Sequence, residues 1–233
     1  NIILDSGGNS IFNAEANEKE IVCDSSRPIE SRKQLNLSPD HVIKAARKLK
    51  PNVVVALDWP LKKTNTNEEQ EKEFRKKLSR NLEWATETVK LRNKYCPEIN
   101  LLIPIQAKTL EQLDEFMAGL SGLKFTGVSL PYRNIDPHLT VLFLTRLNQL
   151  GIQYVHILGT TNFAYMAIAA YFARQGRFKL LSMDSRSWKM NAVKSRGFMS
   201  PHNLLTCKID EQTKIPYSLK NDCNCKFCKY VTF

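Results

Sequence analysis

From about residue 50 onward the sequence alternates short β-type runs with longer helix-type runs, and this alternation is what most narrows the folds open to it. It predicts a parallel sheet whose strands are joined by crossover helices. The strand-like runs are 2–4, 53–57, 101–105, 125–130, 154–158 and 180–183. Their near-continuous Val, Ile and Leu predict strands buried on both faces. Helical runs lie between them at 39–49, 68–95, 110–120, 139–150 and 163–174. In the longest, Phe74, Leu78, Leu82, Ala85 and Val89 recur at spacings of four and three, an apolar stripe whose accompanying Glu and Lys read as a solvated face. Residues 13–37 are polar and weakly periodic and read as a long loop carrying at most a short element.

Two architectures satisfy that order: a (β/α)8 TIM barrel and an open doubly wound sheet. The sequence has neither a G-x-G-x-x-G after a strand nor a P-loop, which weighs against a nucleotide-binding open sheet, so a barrel is expected. Six strand-like runs are visible where such a barrel needs eight. Together with a start at Asn1 rather than Met, this predicts further barrel elements beyond one or both ends.

Polar residues recur where the strand-like runs stop: Asp5, Asp58, Gln106 and Asp184. In a parallel α/β protein those ends share one face, where active sites are assembled. A single aspartate there can be a helix cap or a turn residue, but the recurrence marks a functional face.

The 34 Lys and Arg against 23 Asp and Glu leave a net charge of +11 over 233 residues, which favours an anionic partner, nucleic acid before a membrane surface. The longest apolar stretch, 164–173, is about half the ~20 residues a membrane span needs. The opening residues lack the basic start and long apolar stretch of a secretory signal, and a reducing, cytoplasmic compartment is expected. Arg174, Arg177, Lys179, Arg186, Lys189, Lys194 and Arg196 surround Asp184 with no other acid among them. Arg186, Lys189, Lys194 and Arg196 are the residues expected to grip a phosphate backbone, with Trp188 available to stack on a base. His41, His138 and His156 offer no convincing chemistry; His156, inside an apolar strand, reads as a satisfied interior residue.

Three of the six cysteines, Cys223, Cys225 and Cys228, crowd together as C-x-C-x2-C. Thiolates this close repel unless protonated or neutralised, and a tetrahedral Zn2+ with sulfur ligands neutralises them. A structural zinc is expected; His202 and Cys207 lie upstream as candidates for a fourth ligand, and a ligand beyond Phe233 is the more natural source. The expected organisation is a barrel catalytic domain over 1–200 and the start of a zinc-binding subdomain, truncated, over 201–233.

The combination of Leu4-Asp5-Ser6-Gly7-Gly8, Asp58, Pro104-Ile105-Gln106, Gly127-Val128-Ser129-Leu130, Ile157-Leu158-Gly159-Thr160, Asp184 and the cysteine cluster resembles the tRNA-guanine transglycosylase superfamily. The resemblance runs over nearly the whole chain, and its most specific parts are the L-D-S-G-G start and the cysteines. It implies a zinc-bearing (β/α)8 barrel that exchanges a guanine in nucleic acid for a 7-deazaguanine. It further implies that Asp5 handles protons and helps recognise the base, that Asp58 and Gln106 bind the base's polar edge, and that Asp184 is the nucleophile. Ser6, Gly7, Ser129, Leu130 and Gly159 fall on segments that surround the base. Cys223, Cys225 and Cys228 match three of four zinc ligands, and the fourth, a downstream histidine, is absent from this sequence.

Three departures bear on substrate. Asn9-Ser10 stand where the family has Phe-Gln against the base, and Ser129-Leu130-Pro131 stand for a Gly-Gly-Leu segment at its 7-substituent. Asp184-Ser185-Arg186-Ser187-Trp188 replaces the nucleophile neighbourhood of the tRNA enzymes. These look more like the DNA-acting, DpdA-like branch, so DNA is slightly favoured over tRNA. Two other readings stay open: a non-catalytic nucleic-acid-binding partner subunit and an unrelated zinc-assisted barrel hydrolase; a homodimer or an accessory subunit is the expected assembly. The chemistry expected of the leading reading is a covalent aspartyl-sugar intermediate on a base flipped from its stack.

Overall fold

A computed structural model describes residues 2–17, 19–22, 34–132, 135–160, 162–184, 197–199 and 206–208. The chain divides into two units, Asn1–Asp184 and Ser185–Phe233.

The first unit is built on a six-stranded sheet: β1 (Ile3–Leu4), β4 (Val53–Val55), β5 (Asn100–Pro104), β6 (Gly127–Pro131), β7 (Tyr154–Leu158) and β8 (Leu180–Met183). Every neighbouring pair is parallel, and the strands follow one another in chain order without reversal. A doubly wound sheet reverses its order at a switch point, so this sequential winding belongs to a barrel-type α/β fold. It accounts for six barrel strands among the described residues.

The helices are α1 (Gly8–Ala16), α2 (Pro39–Leu49), α3 (Asn67–Tyr95), α4 (Leu110–Gly119), α5 (Pro137–Gln149) and α6 (Phe163–Arg174). Local chemistry sets where they start. Thr66 accepts from the Glu69 amide at 3.2 Å while Glu69 Oε2 accepts from the Thr66 amide at 3.3 Å, a reciprocal capping box that opens α3. Thr109, Asp136 and Asn162 cap α4, α5 and α6 with side-chain oxygens. Leu101, Ile103, Ile105, Val128, Leu130 and Val155 pack against Ile43, Phe74, Trp84, Leu113, Phe116 and Phe143 of the helices to make the core.

Because side chains alternate along a strand, the opposite sheet face carries Val55, Leu102, Pro104, Ser129, His156 and Ser182. Register sets Pro104 beside Ser129, Ser129 beside His156, and His156 beside Ser182.

Two expectations are corrected. The segment read as a loop holds the end of α1 and two short strands, β2 (Glu20–Val22) and β3 (Gln34–Asn36), paired in parallel. These strands are too short for periodicity to show, and partly buried Ile21 and Leu35 anchor them on the core. The polar residues of α3 are also not all solvated: charged Lys77 and neutral Asn81 and Thr88 are buried beside Phe74, Trp84, Ala85 and Val89. In the second unit, β9 (Gly197–Met199) and β10 (Thr206–Lys208) form an antiparallel pair with Cys207 opposite Phe198.

Candidate active site

The D-S-G-G turn follows β1 and enters α1. Gly7 takes a left-handed conformation at φ +86°, which admits glycine without strain. Gly8 is required for a different reason: a Cβ there would stand 2.2 Å from Asp58 Oδ1. The turn is laid directly against the carboxylate at the end of β4. Ser6 Oγ donates to Asp58 Oδ1 at 3.2 Å and accepts from the Gly8 amide at 3.3 Å.

On its other side Asp58 accepts a short hydrogen bond from Gln106 Nε2 at the end of β5, and Gln106 Oε1 accepts from the Leu61 amide at 3.1 Å. Three successive sheet strands thus deliver one buried polar cluster of Ser6, Asp58 and Gln106. Burial pushes the Asp58 carboxyl up to about 7; the hydrogen bonds from Gln106 and Ser6 oppose that rise, and repulsion from the Asp5 carboxylate adds to it. The group therefore changes charge near neutral pH.

The loop after β4 is held from beneath by residues that sequence periodicity does not single out. Asn81 accepts from the Trp59 amide at 2.6 Å and donates to the Trp59 carbonyl at 3.2 Å, holding the two peptide groups that flank this residue. Lys77, wholly buried, donates to the Pro60 carbonyl at 2.7 Å and pairs with Glu15 at 2.9 Å and Glu73 at 2.7 Å. Trp59 donates through Nε1 to Glu15 at 3.0 Å and stacks on Trp84 with ring centroids 6.3 Å apart. Burial alone would raise the Glu15 carboxyl, but hydrogen bonds from Lys77, Trp59 and Lys62 outweigh it and hold the group below its usual range. Glu15 lies on α1, so the same network ties the D-S-G-G helix to the Asp58 loop. The signal for Lys77 and Asn81 was their i, i+4 spacing, visible only once the buried face of α3 was known.

A second cluster lies toward the other edge of the sheet. Asp184 follows β8, and its Oδ1 accepts from the Gly159 amide at 2.8 Å. Gly159 ends β7 in a left-handed turn, φ +81°, which aims that amide. Buried His156 stands with Nε2 3.4 Å from the same oxygen and Nδ1 2.9 Å from Ser182 Oγ. His156 is interior and satisfied, as expected, yet it also reaches a strand-end aspartate. Ser129 Oγ, on the neighbouring strand, is buried with no hydrogen-bond partner among the described residues.

The residues singled out from the sequence therefore fall as follows. Asp5, Ser6, Gly7, Asp58 and Gln106 gather at the ends of β1, β4 and β5, and Gly159 and Asp184 meet at the ends of β7 and β8. Ser129 lies between these groups on β6, whereas the Leu130 side chain belongs to the hydrophobic core. Asp5 and Asp184 follow the two outermost strands of the sheet rather than neighbouring ones. Arg186, Lys189, Lys194, Arg196, Cys223, Cys225 and Cys228 lie outside the described residues. Among the described residues, no group of three or more His, Cys, Asp or Glu is placed to hold a metal, and no helix is long and apolar enough to cross a membrane.

A sequentially wound parallel sheet with acids and amides at its C-terminal strand ends defines a barrel-type α/β protein with an enzyme-like site. A family model described as queuine tRNA-ribosyltransferase matches residues 1–130, more than half the chain and the part that carries the D-S-G-G turn, Asp58, Gln106 and Ser129. The chain belongs to this family, within the tRNA-guanine transglycosylase superfamily. Membership supports a pentosyltransferase-like transglycosylase function on guanine in nucleic acid. No curated protein matches the chain.

Proposed function

We propose that the protein replaces guanine in nucleic acid by a 7-deazaguanine through a covalent aspartyl-sugar intermediate, with DNA the favoured substrate. The observation that carries the base-binding part is the buried Ser6–Asp58–Gln106 cluster beside the orphaned Ser129 hydroxyl. A buried hydroxyl without a partner costs about 1–3 kcal/mol, and a polar ligand atom at that position would recover it. Such a pocket selects a purine-like edge, because a base lacking matching groups leaves several buried polar atoms unpaired.

In the proposed reaction an Asp184 carboxylate oxygen forms a bond to C1′ as the C1′–N9 bond breaks, its electron pair leaving with guanine. Asp5 supplies the proton that neutralises the departing base. It then removes a proton from the incoming base, whose ring nitrogen bonds to C1′ and displaces the Asp184 carboxylate. Ionised Asp58 accepts hydrogen bonds from ring N–H and amine groups. The Gln106 amide carries both N–H donors and a carbonyl acceptor, the two kinds of group that read a purine-like edge.

The thiols of Cys223, Cys225 and Cys228 fit a zinc ion by their donor chemistry and spacing. That ion would be structural and takes no part in these steps. Arg186, Lys189, Lys194 and Arg196 would hold the phosphates, and the partner is nucleic acid with a free 7-deazaguanine base.

The matching family, queuine tRNA-ribosyltransferase, makes tRNA the second reading. Incubation with a labelled 7-deazaguanine, duplex DNA and tRNA tests both. Label entering DNA, and its loss in Asp184→Ala, is expected; label entering tRNA alone moves the substrate to the second reading. Incorporation that survives Asp184→Ala would overturn the nucleophile assignment.

A further inference from the structure

We propose that His156 is a positioning residue for the Asp184 carboxylate, holding it through Nε2 while Ser182 holds the ring through Nδ1. The proposal rests on Asp184 as the nucleophile of the reaction above.

The argument starts from the cost of burial. His156 is 3% exposed on a strand otherwise made of Tyr154, Val155, Ile157 and Leu158. A buried imidazole is tolerated when its nitrogens have partners. Strand register supplies the first: His156 lies opposite Ser182, and Nδ1 is 2.9 Å from Ser182 Oγ. The other nitrogen stands 3.4 Å from Asp184 Oδ1, two residues further along the same strand edge. A carboxylate only accepts, so Nε2 carries the proton, and in the neutral ring Nδ1 accepts from the serine hydroxyl.

Two groups of the β7 segment and the turn after it approach one oxygen. The Gly159 amide reaches Oδ1 at 2.8 Å and His156 approaches the same atom from within the sheet. Two donors on one oxygen fix the rotation of the carboxylate, which matters for a group that must meet C1′ in line. The 3.4 Å separation is longer than a good hydrogen bond, and contacts of this kind tighten when substrate fills the site. His156 also favours the ionised carboxylate over the sugar ester, so it assists the second half of the reaction, in which Asp184 is the leaving group. Its removal shifts the balance toward the covalent adduct.

The test compares His156→Asn, which keeps a polar atom near Ser182 and loses the one near Asp184, with His156→Gln, whose amide reaches toward the Nε2 position. Exchange of radiolabelled guanine into DNA and tRNA is measured on the full chain, with covalent adduct followed on denaturing gels. In His156→Asn, kcat is expected to fall about 10- to 100-fold, the scale of a misplaced reacting group. KM for guanine is expected to stay unchanged and the adduct fraction to rise, with His156→Gln recovering most of kcat. Nitrogen NMR of the imidazole provides a readout that needs no turnover: Nε2 is expected to be protonated, and its resonance to move in Asp184→Ala. Equal losses in both variants that track a common drop in melting temperature would show a merely structural histidine, as would an Nε2 resonance indifferent to Asp184→Ala. If Asp184→Ala itself exchanges guanine, the nucleophile reading fails; if it is inactive while His156→Asn is normal, only the role of His156 fails.

Discussion

Ser6 Oγ donates to Asp58 Oδ1 at 3.2 Å, joining the turn after β1 to the end of β4 across 52 residues of sequence. That bond makes the D-S-G-G turn and the Asp58 carboxylate one object: the turn supplies hydroxyl and glycine backbone, and the carboxylate fills the space that a side chain at Gly8 would take.

The raised Asp58 carboxyl carries a pH signature. Its folded value of about 7 lies above the ordinary 3.8, so the native state binds the extra proton between those limits. The resulting stabilisation is complete below the lower value and is lost as pH rises through about 7. Asp58→Asn removes this dependence, so its stability relative to wild type should increase from about pH 4 to pH 7, measured by urea unfolding across that range. With Asp58 holding the base as proposed, guanine binding by wild type should strengthen as pH passes about 7 and the carboxyl ionises.

Gly8→Ala drives a methyl group to within 2.2 Å of a carboxylate oxygen that Ser6 and Gln106 both hold in place. The expected cost is about 1–3 kcal/mol, the usual penalty of overpacking. Thermal unfolding measures it, and guanine titration should show binding lost beyond what the stability change explains.

Ser129→Ala separates a ligand role from a packing role. Removing an unsatisfied buried hydroxyl leaves the unliganded protein as stable as wild type or more so, by up to about 1–3 kcal/mol. The stabilisation that guanine adds should shrink. Paired melting curves with and without guanine provide the comparison, and a variant destabilised without ligand would assign Ser129 to structure.

Lys77→Met leaves Glu15 and Glu73 without the ammonium group between them, and the Pro60 carbonyl without its donor. Breaking a buried pair on one side costs about 3–5 kcal/mol at neutral pH. Both glutamates are held below their usual range, so the stability they contribute is present above the unfolded value and lost as pH falls through the folded one. The difference between variant and wild type should therefore narrow in acid, below about pH 4.

The sequence by itself determined the winding of the sheet. Apolar runs of strand length separated by amphipathic runs of helix length leave few arrangements, and among the described residues five of the six helices and all six strands of the main sheet lie where that pattern places them. It also marked Asp5, Asp58, Gln106 and Asp184, because a polar residue closing an apolar strand is conspicuous in one dimension. It left α1, β2 and β3 unread; the two strands, at three residues each, are too short to carry a measurable period. It also left Lys77, Asn81 and His156 without roles, because a lysine on a helix or a histidine in a strand has no direction until its neighbours are known. Only the tertiary structure decided those roles. Strand register puts His156 against Ser182 and within reach of Asp184, and the packing of α3 turns Lys77 inward to hold the Asp58 loop. Contacts between residues tens of positions apart are fixed by the sheet and its helices together, and no local pattern encodes them.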